Sequence, residues 1–217
     1  MRGFRRRRGM YAARLDADER EVVAALVADV AELLGAGRLE APGPASADPS
    51  DGTPRMSLEP LAPPSDPAVR RLLPDASRDD PQVAAEFRRL TEDDLRAGKI
   101  ARLTRLWSAL TTPTEGWRSD AFVVAPEDAK DVAAALTDLR LVLAERLGIH
   151  TDEQAEQLYD ALLVSSQAEL DDAEAELLDP AARRYLVAVY GALSWLQESL
   201  VDVLLHDLRA HGRPAEP

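Results

Sequence analysis

The stretch LPDASRDDPQVAAEFRRLTEDDLRAGKIARLTRLWSAL (residues 73–110) decides the fold, because it carries the clearest helix signals of the chain. Asp80 followed by Pro81 is typical of a helix start, since aspartate accepts hydrogen bonds from free amides and proline lacks the amide that a first turn leaves unpaired. Apolar residues then recur at helical spacing, which predicts one apolar face. They are Val83, Ala84, Phe87, Leu90, Ile100, Leu103, Trp107 and Leu110.

A second start signal lies inside this helix. Thr91 is followed three residues later by Asp94, a pair similar to a capping box. The sequence therefore predicts that the helix breaks or kinks at Thr91 and begins again. Basic residues are assigned to the polar side of the helix. They are Arg88, Arg89, Arg96, Lys99, Arg102 and Arg105.

Composition excludes several classes of function. A formal net charge of -13 argues against non-specific binding of the whole molecule to nucleic acid or anionic membranes. The chain has no cysteine, so disulfides and thiolate chemistry are excluded. The longest uncharged apolar run, residues 185–197, is shorter than the roughly 20 residues that a bilayer requires. The N-terminal arginines are not followed by an apolar run, so no secretory signal is indicated. We therefore expect a cytoplasmic protein that does not enter a membrane.

Residues 3–15 predict a β-hairpin with its turn at Arg8 and Gly9. The arm formed by Arg5, Arg6, Arg7 and Arg8 has two interpretations. It contacts phosphate or an acidic partner, or it is an edge strand whose charges oppose aggregation and pair with the protein's own acids. The acid surplus favours the second interpretation.

The helix offers a weaker contact surface than the arm. Arg96, Lys99, Arg102 and Arg105 are three residues apart and spread over about half of the helix circumference. Such a spread indicates surface ion pairs with the protein's own carboxylates. If basic residues bind a partner, we expect the Arg5–Arg8 arm to make the main contact.

The remaining signals predict a mainly α protein, a helical bundle with a small N-terminal β-hairpin. Asp16 and Glu19 indicate a capping box, and Gly35 and Gly37 a helix end. The predicted organisation is a hairpin and first helix belonging to the core (1–36), a flexible proline-rich linker (37–67), a helical core (68–210) and a disordered tail (211–217).

The second half of the chain predicts one short extended segment and three helices. Residues 122–124 are apolar and are expected to pair with the hairpin in a small sheet. A helix follows residues 126–128, and another begins at Thr151. The last begins after Asp179, runs to about Leu208 and is apolar on more than one face, so we expect it to be central. Residues 151–179 hold ten acids and no lysine or arginine. This favours a solvated face, with a docking face for a basic partner or for the arginine arm as the alternative.

No catalytic constellation is visible. His150, His206 and His211 lack paired metal-ligand spacing. The acids at Asp79, Asp80, Asp93 and Asp94 are interpreted as helix caps rather than metal ligands. No phosphate-binding loop, nucleophile elbow or zinc pattern occurs. We expect no catalytic residue, no cofactor, no metal and hence no enzyme, with an enzyme of unrecognised type as the least favoured class.

Several strings resemble the AosR-type family of actinobacteria. They are LPDA (73–76), RD (78–79), EFRRLT (86–91), LRLVL (139–143), RLGI (146–149) and WLQESL (195–200). The start at Gly3 and Phe4, followed by an arginine-rich arm, is similar as well. This family, formerly a domain of unknown function, is associated with transcription regulation in the oxidative-stress response. Its genes tend to lie near a Clp adaptor and a cysteine-biosynthesis cluster.

The resemblance implies a cytoplasmic, non-enzymatic regulator that acts through RNA polymerase, a sigma factor or DNA. The alternative is an interaction adaptor or scaffold in Clp proteolysis or in cysteine and sulfur metabolism. A disulfide switch cannot be carried over, because the chain has no cysteine. A protein partner is expected and DNA is the second possibility. The expected contact residues are Arg5, Arg6, Arg7, Arg8, Arg88, Arg89, Arg96 and Lys99.

Overall fold

The computed structural model describes residues 1–39, 62–77, 79–151, 153–157 and 179–211. These residues form a mainly helical fold with a three-stranded antiparallel sheet, as predicted. The strands are β1 (Arg2–Arg7), β2 (Met10–Arg14) and β3 (Ala121–Val124). The helices are α1 (Ala17–Leu33), α2 (Pro67–Leu72), α3 (Pro81–Thr111), α4 (Ala129–Arg146) and α5 (Pro180–His211), and residues 153–157 are also helical.

Three predictions fall wholly or mostly on residues that lie outside the described ranges. The first is the flexible linker, of which residues 40–61 are not described. The second is the acidic segment, of which residues 158–178 are not described. The third is the disordered tail, since the described chain ends at residue 211.

The sheet confirms the predicted hairpin and its pairing with the extended segment. Arg8 and Gly9 both have positive φ, at 52° and 79°, which forms the tight two-residue turn whose twist matches that of the strands. The strand order is β1-β2-β3, and Ala13 pairs with Phe122. Phe4 packs against Phe122 with ring centroids 5.4 Å apart, so this face of the sheet closes the core.

Helix α1 begins and ends as predicted. Asp16 accepts a hydrogen bond from the Glu19 amide at 2.9 Å, and Glu19 Oε2 accepts from the Asp16 amide at 2.9 Å. Gly35 has a φ of 91°, and the Ala36 amide donates back to Ala31 O at 2.9 Å. A glycine in the left-handed region lets the chain reverse without a Cβ clash and satisfies the last carbonyls. Local side-chain chemistry therefore sets both ends of this helix.

Helix α3 is continuous, so the predicted break at Thr91 is wrong. Thr91 Oγ1 donates to Phe87 O at 2.9 Å, one turn back within the same helix. A capping threonine would need an extended backbone and would accept from an amide ahead of it. The residues on either side are good helix formers, and the helix continues because propagation needs no new start.

The first half of α3 reverses the predicted faces. Val83, Phe87 and Leu90, which the sequence predicts on the buried apolar face, are 53%, 45% and 60% exposed. Arg88 and Glu92 are buried instead, although Arg88 was assigned to the polar side. Periodicity places charged residues on the exposed face, because it does not show which charges are paired. Pairing offsets the free-energy cost of burying each ion alone, so Arg88 and Glu92 can be buried.

Among the described residues the central helix is α4, and not the last helix as the sequence predicts. Helix α4 contacts α1, α2, α3 and α5, and its buried residues include Leu136, Leu139 and Leu143. Helix α5 packs on α4 and β1, which cover one side of it. Its other side remains exposed among the described residues, with Leu205 at 42% and Leu208 at 64%. In the described ranges, no helix combines the length and hydropathy needed to cross a bilayer.

Candidate functional site: an arginine-lined groove

The arginine arm lies in β1, and the strand divides its four side chains. Successive residues of a strand point to opposite faces, so Arg5 and Arg7 lie opposite Phe4, which is buried in the core. Arg6 lies on the side of Phe4 and pairs with Asp207 of α5 at 2.8 Å. Arg8 occupies the turn. The arm is therefore two outward arginines, one structural arginine and one turn arginine.

The outer face of the sheet forms a groove of about 950 Å³, which we call the arginine groove. Of the described residues, six arginines and a single aspartate line it, in a chain where acids outnumber bases by 39 to 26. Two tryptophans complete its walls. The side chains of the groove that bear on function are Arg2, Arg5, Arg7, Arg8, Arg14, Arg118, Asp120, Trp117 and Trp195.

Asp120 organises one end of the arginine groove. It accepts from Arg14 Nε and Nη2 at 2.8 and 2.6 Å and from Arg118 Nε at 3.0 Å. These bonds, first that of Arg14 and then that of Arg118, hold the pKa of the Asp120 carboxyl below its ordinary value of 3.8. The single acid of the groove is thus shared by two arginines and leaves the others without a counter-charge.

Arg2, Arg5 and Arg7 are exposed, and within the described residues their side chains form no hydrogen bond or ion pair. They lie close together on one strand, where like charges repel. The chain has more acids than bases, and Asp207 pairs with Arg6. No acid of the described residues pairs with Arg2, Arg5 or Arg7. An anion in the groove could therefore bind these three guanidinium groups without breaking an ion pair of the described residues.

Both tryptophans lie beside β1. The Arg8 guanidinium carbon lies 5.4 Å from the centroid of the Trp117 ring, and Arg8 Nη1 donates to Gly116 O at 3.1 Å. Trp195 lies near the other end of the strand, where a Cβ added to Gly3 would come within 3.3 Å of its Cη2. Cation–π contact fixes the first ring in place, and the second is 44% exposed.

The basic residues predicted on α3 lie in internal ion pairs. Arg88 pairs with Asp75 and Glu92, and Lys99 Nζ donates to Asp138 at 2.6 Å. The other two predicted contacts on this helix, Arg89 and Arg96, follow the same pattern, and so do Arg102 and Arg105, which were not predicted as contacts. Arg89 pairs with Glu86, Arg96 pairs with Glu92, and Arg102 and Arg105 pair with Asp131. These bases pair with the protein's own acids, whereas Arg2, Arg5 and Arg7 of the groove pair with none among the described residues. The structure of the described residues therefore does not favour the bases of α3 as partner contacts.

Sequence reasoning missed five of the groove's residues: Arg2, Arg14, Trp117, Arg118 and Trp195. One signal could have found one of them. The two-residue turn at Arg8 and Gly9 fixes the register near the turn, with Arg5 opposite Ala12, and so places Arg14 on the same face as Arg5 and Arg7. Arg2 lies opposite Arg14 only because the register shifts between Arg2 and Arg5, which the turn does not predict. The other three come from a loop and from a distant helix, and no local pattern connects those to the hairpin.

The acids and histidines singled out in the sequence form no site. Asp80 caps α3, accepting from the Gln82 and Val83 amides at 2.9 and 3.1 Å. Asp93 and Asp94 are exposed in the middle of α3, so their interpretation as caps is wrong. Within the described part of the chain, no three His, Cys, Asp or Glu side chains lie close enough to hold a metal ion.

The fold and the groove define a class: a mainly helical protein with a small sheet that presents arginines on its outer face. The chain belongs to a family described as "Domain of unknown function (DUF2017)", whose pattern matches residues 1–204. No curated protein and no solved structure matches the chain.

Proposed function

We propose that this protein is a non-enzymatic regulator that acts by binding a polyanionic surface in the arginine groove. The observation that carries the proposal is that Arg2, Arg5 and Arg7 have no acid partner within the described residues, in a chain with 13 more acids than bases. Guanidinium groups that share one surface favour phosphate or carboxylate partners, because their donors match those anions in pairs.

The resemblance to AosR-type regulators directs the proposal to transcription. On this proposal the partner is nucleic acid or an acidic surface of RNA polymerase or a sigma factor. The overall charge of -13 disfavours loose binding along DNA. The arginines of the groove must therefore attract an anion at short range. Salt screens charges beyond about 8 Å at physiological ionic strength, so the distant acids repel the anion only weakly.

The test compares two double variants that remove the same charge. Arg5→Gln/Arg7→Gln removes the outward arginines, and Lys130→Gln/Arg184→Gln removes two exposed bases that do not line the groove. Each is used to capture RNA polymerase and nucleic acid from the native cell. We expect the groove variant to lose the captured partner and the control to keep it. Equal capture by both variants would refute the groove as the contact site.

A second candidate function is an interaction adaptor, and a second groove favours it. This groove, of about 420 Å³, lies between α1 and α5. Its floor includes Leu186 and Val189, and α1 contributes Asp18, Glu21 and Asp29 to its lining. An apolar floor beside acids fits a basic amphipathic segment of a partner. If the adaptor function is correct, Glu21→Lys/Asp29→Lys abolishes capture of a Clp component, and Arg5→Gln/Arg7→Gln does not.

A further inference from the structure

We infer that the arginine groove binds a single-stranded nucleic acid, with phosphates on Arg2, Arg5 and Arg7 and an unstacked base on Trp195. This inference rests on the proposed function, because it names the polyanion that the groove takes. It also assigns a role to the tryptophans of the groove and selects one class of anionic partner. Three features of the groove carry it: open arginines, an exposed indole and an extended path.

The first feature is the set of donors. Arg5 and Arg7 are two residues apart on one face of β1, and Arg2 lies before them on the same strand. Alternate residues on a strand are about 7 Å apart. Arg5 and Arg7 have this spacing, and the register shift between Arg2 and Arg5 places Arg2, opposite Arg14, on the same face. The three donors thus form a row that fits an extended phosphate backbone, and none of them has to break an internal ion pair within the described residues.

The second feature is the indole of Trp195. It lines the groove and is 44% exposed, whereas the neighbouring Leu196 is fully buried. A large apolar ring that stays partly exposed to water is unfavourable in free energy. An aromatic ligand that covers the ring would remove this cost. Every nucleobase has such a face, so stacking tolerates any sequence.

The third feature is the path between the two rings. Trp195 lies beside Gly3, and Trp117 lies under Arg8 at the turn. The five residue steps from Gly3 to Arg8 extend over about 16 Å. Ala12 of β2 lies opposite Arg5 and lines the groove, and its small side chain leaves room there for a ligand.

Two other polyanions fit these features less well. Duplex DNA hides its base faces within the stack, so the exposed indole would find nothing to cover. An acidic protein segment would pair with the arginines, but carboxylate side chains carry no flat apolar surface for Trp195. Arginines with aromatic stacking platforms are the combination that single-strand binding uses.

The test uses the full chain and three probes of known chemistry: an oligothymidylate of about 15 nucleotides, a duplex of the same length, and polyglutamate. Affinity is measured by fluorescence anisotropy over a range of salt concentrations. Three variants are compared with the wild type. They are Trp195→Ala, Arg5→Gln/Arg7→Gln and the charge-matched control Lys130→Gln/Arg184→Gln. Trp107→Phe serves as the aromatic control, because Trp107 packs against the core and does not line the groove.

We expect the oligothymidylate to bind tightest and to quench the wild-type tryptophan fluorescence. Trp195→Ala should weaken it about tenfold, and Trp107→Phe should not. Arg5→Gln/Arg7→Gln should reduce the slope of log affinity against log salt by about 1.4, since each single-strand phosphate contact contributes about 0.7.

Tighter binding of the duplex or of polyglutamate, or binding without tryptophan quenching, would overturn the inference. If such binding still depends on Arg5 and Arg7, the proposed function stands and only the single-strand partner is wrong. If no probe depends on these arginines, both fail. Should Trp195→Ala not fold, quenching measured on Trp117→Phe, which keeps Trp195 and removes the other tryptophan that lines the groove, decides the question.

Discussion

The backbone amide of Phe4 donates a hydrogen bond to Ser199 Oγ over 2.9 Å, joining two residues 195 positions apart. Ser199 Oγ in turn donates to Leu196 O at 2.7 Å, within its own helix turn. The approach is so close that a Cβ on Gly3 would lie 2.7 Å from Ser199 Cβ. Glycine before Phe4 therefore lets β1 lie against α5, and that contact forms one wall of the arginine groove.

Gly3→Ala should destabilise the protein by about 1–3 kcal/mol, because the added methyl overpacks against the Ser199 Cβ rather than against a flexible chain end. Urea denaturation measures the effect. Gly37→Ala is the matched control, since nothing lies within 4 Å of its added Cβ. A Gly3→Ala protein as stable as the control would show that β1 moves off α5 without cost.

Tyr11→Phe should cost about 1 kcal/mol at pH 7, because Tyr11 Oη donates to Asp207 Oδ2 at 2.7 Å in a buried position. The bond to Asp207 raises the pKa of the Tyr11 phenol above its ordinary 10.0, with burial as the next cause. The folded state thus prefers the protonated phenol, and this contribution is complete below pH 10 and is lost as the pH rises through the folded pKa.

The measurement is the free energy of unfolding as a function of pH from 8 to 11. The wild type should lose stability above pH 10 more steeply than Tyr11→Phe. Tyr185→Phe provides the control, since Tyr185 is 54% exposed. Parallel pH profiles for wild type and Tyr11→Phe would contradict the assigned role of the phenol.

Lys99→Met should destabilise by about 3 kcal/mol, because it leaves the carboxylate of Asp138 buried without its cation. The double variant Lys99→Met/Asp138→Leu should recover much of this loss, since no charge remains buried. Lys130→Met, at an exposed position of the same charge, should be close to neutral. Thermal and urea unfolding provide the values. A double variant no more stable than Lys99→Met would mean that the pair is not coupled.

Thr91→Ala should leave stability unchanged or raise it by a few tenths of a kcal/mol, because Thr91 lies inside a continuous helix and alanine is the better helix former. Asp80→Ala should lose about 1 kcal/mol, since Asp80 caps the true start of α3. A loss at Thr91 as large as that at Asp80 would restore the predicted second cap. Both values come from urea denaturation.

Signals that act over a few residues predicted the elements well. Asp16 and Asp80 begin helices, and Gly35 follows the end of one, because a cap bonds to amides within its own turn. The hairpin turn at Arg8 and Gly9 was equally local. Thr91 failed because the same side chain can bond backward inside a helix, and spacing alone does not show which bond forms.

The faces of the helices were predicted less well. Phe87 is exposed and Arg88 is buried, since burial depends on which neighbour covers a face and whether it brings a counter-charge. Likewise, the apolar stripe of α5 did not make it central, because α4 already occupies the middle of the bundle.

The sequence by itself determined the mainly α class, the hairpin and the helix starts, because turn and cap chemistry acts between residues close along the chain. It also indicated that an arginine arm stands out from an acidic chain. Only the tertiary structure decided which of those arginines are open. Arg6 is held by Asp207 and Arg14 by Asp120, while Arg5 and Arg7 meet no acid in the described residues. An ion pair needs atoms within about 4 Å, and residues more than a hundred positions apart reach that distance only in the folded chain. For Arg6 and Asp207 this requires β1 to pack on α5, and for Arg14 and Asp120 it requires β2 to pair with β3.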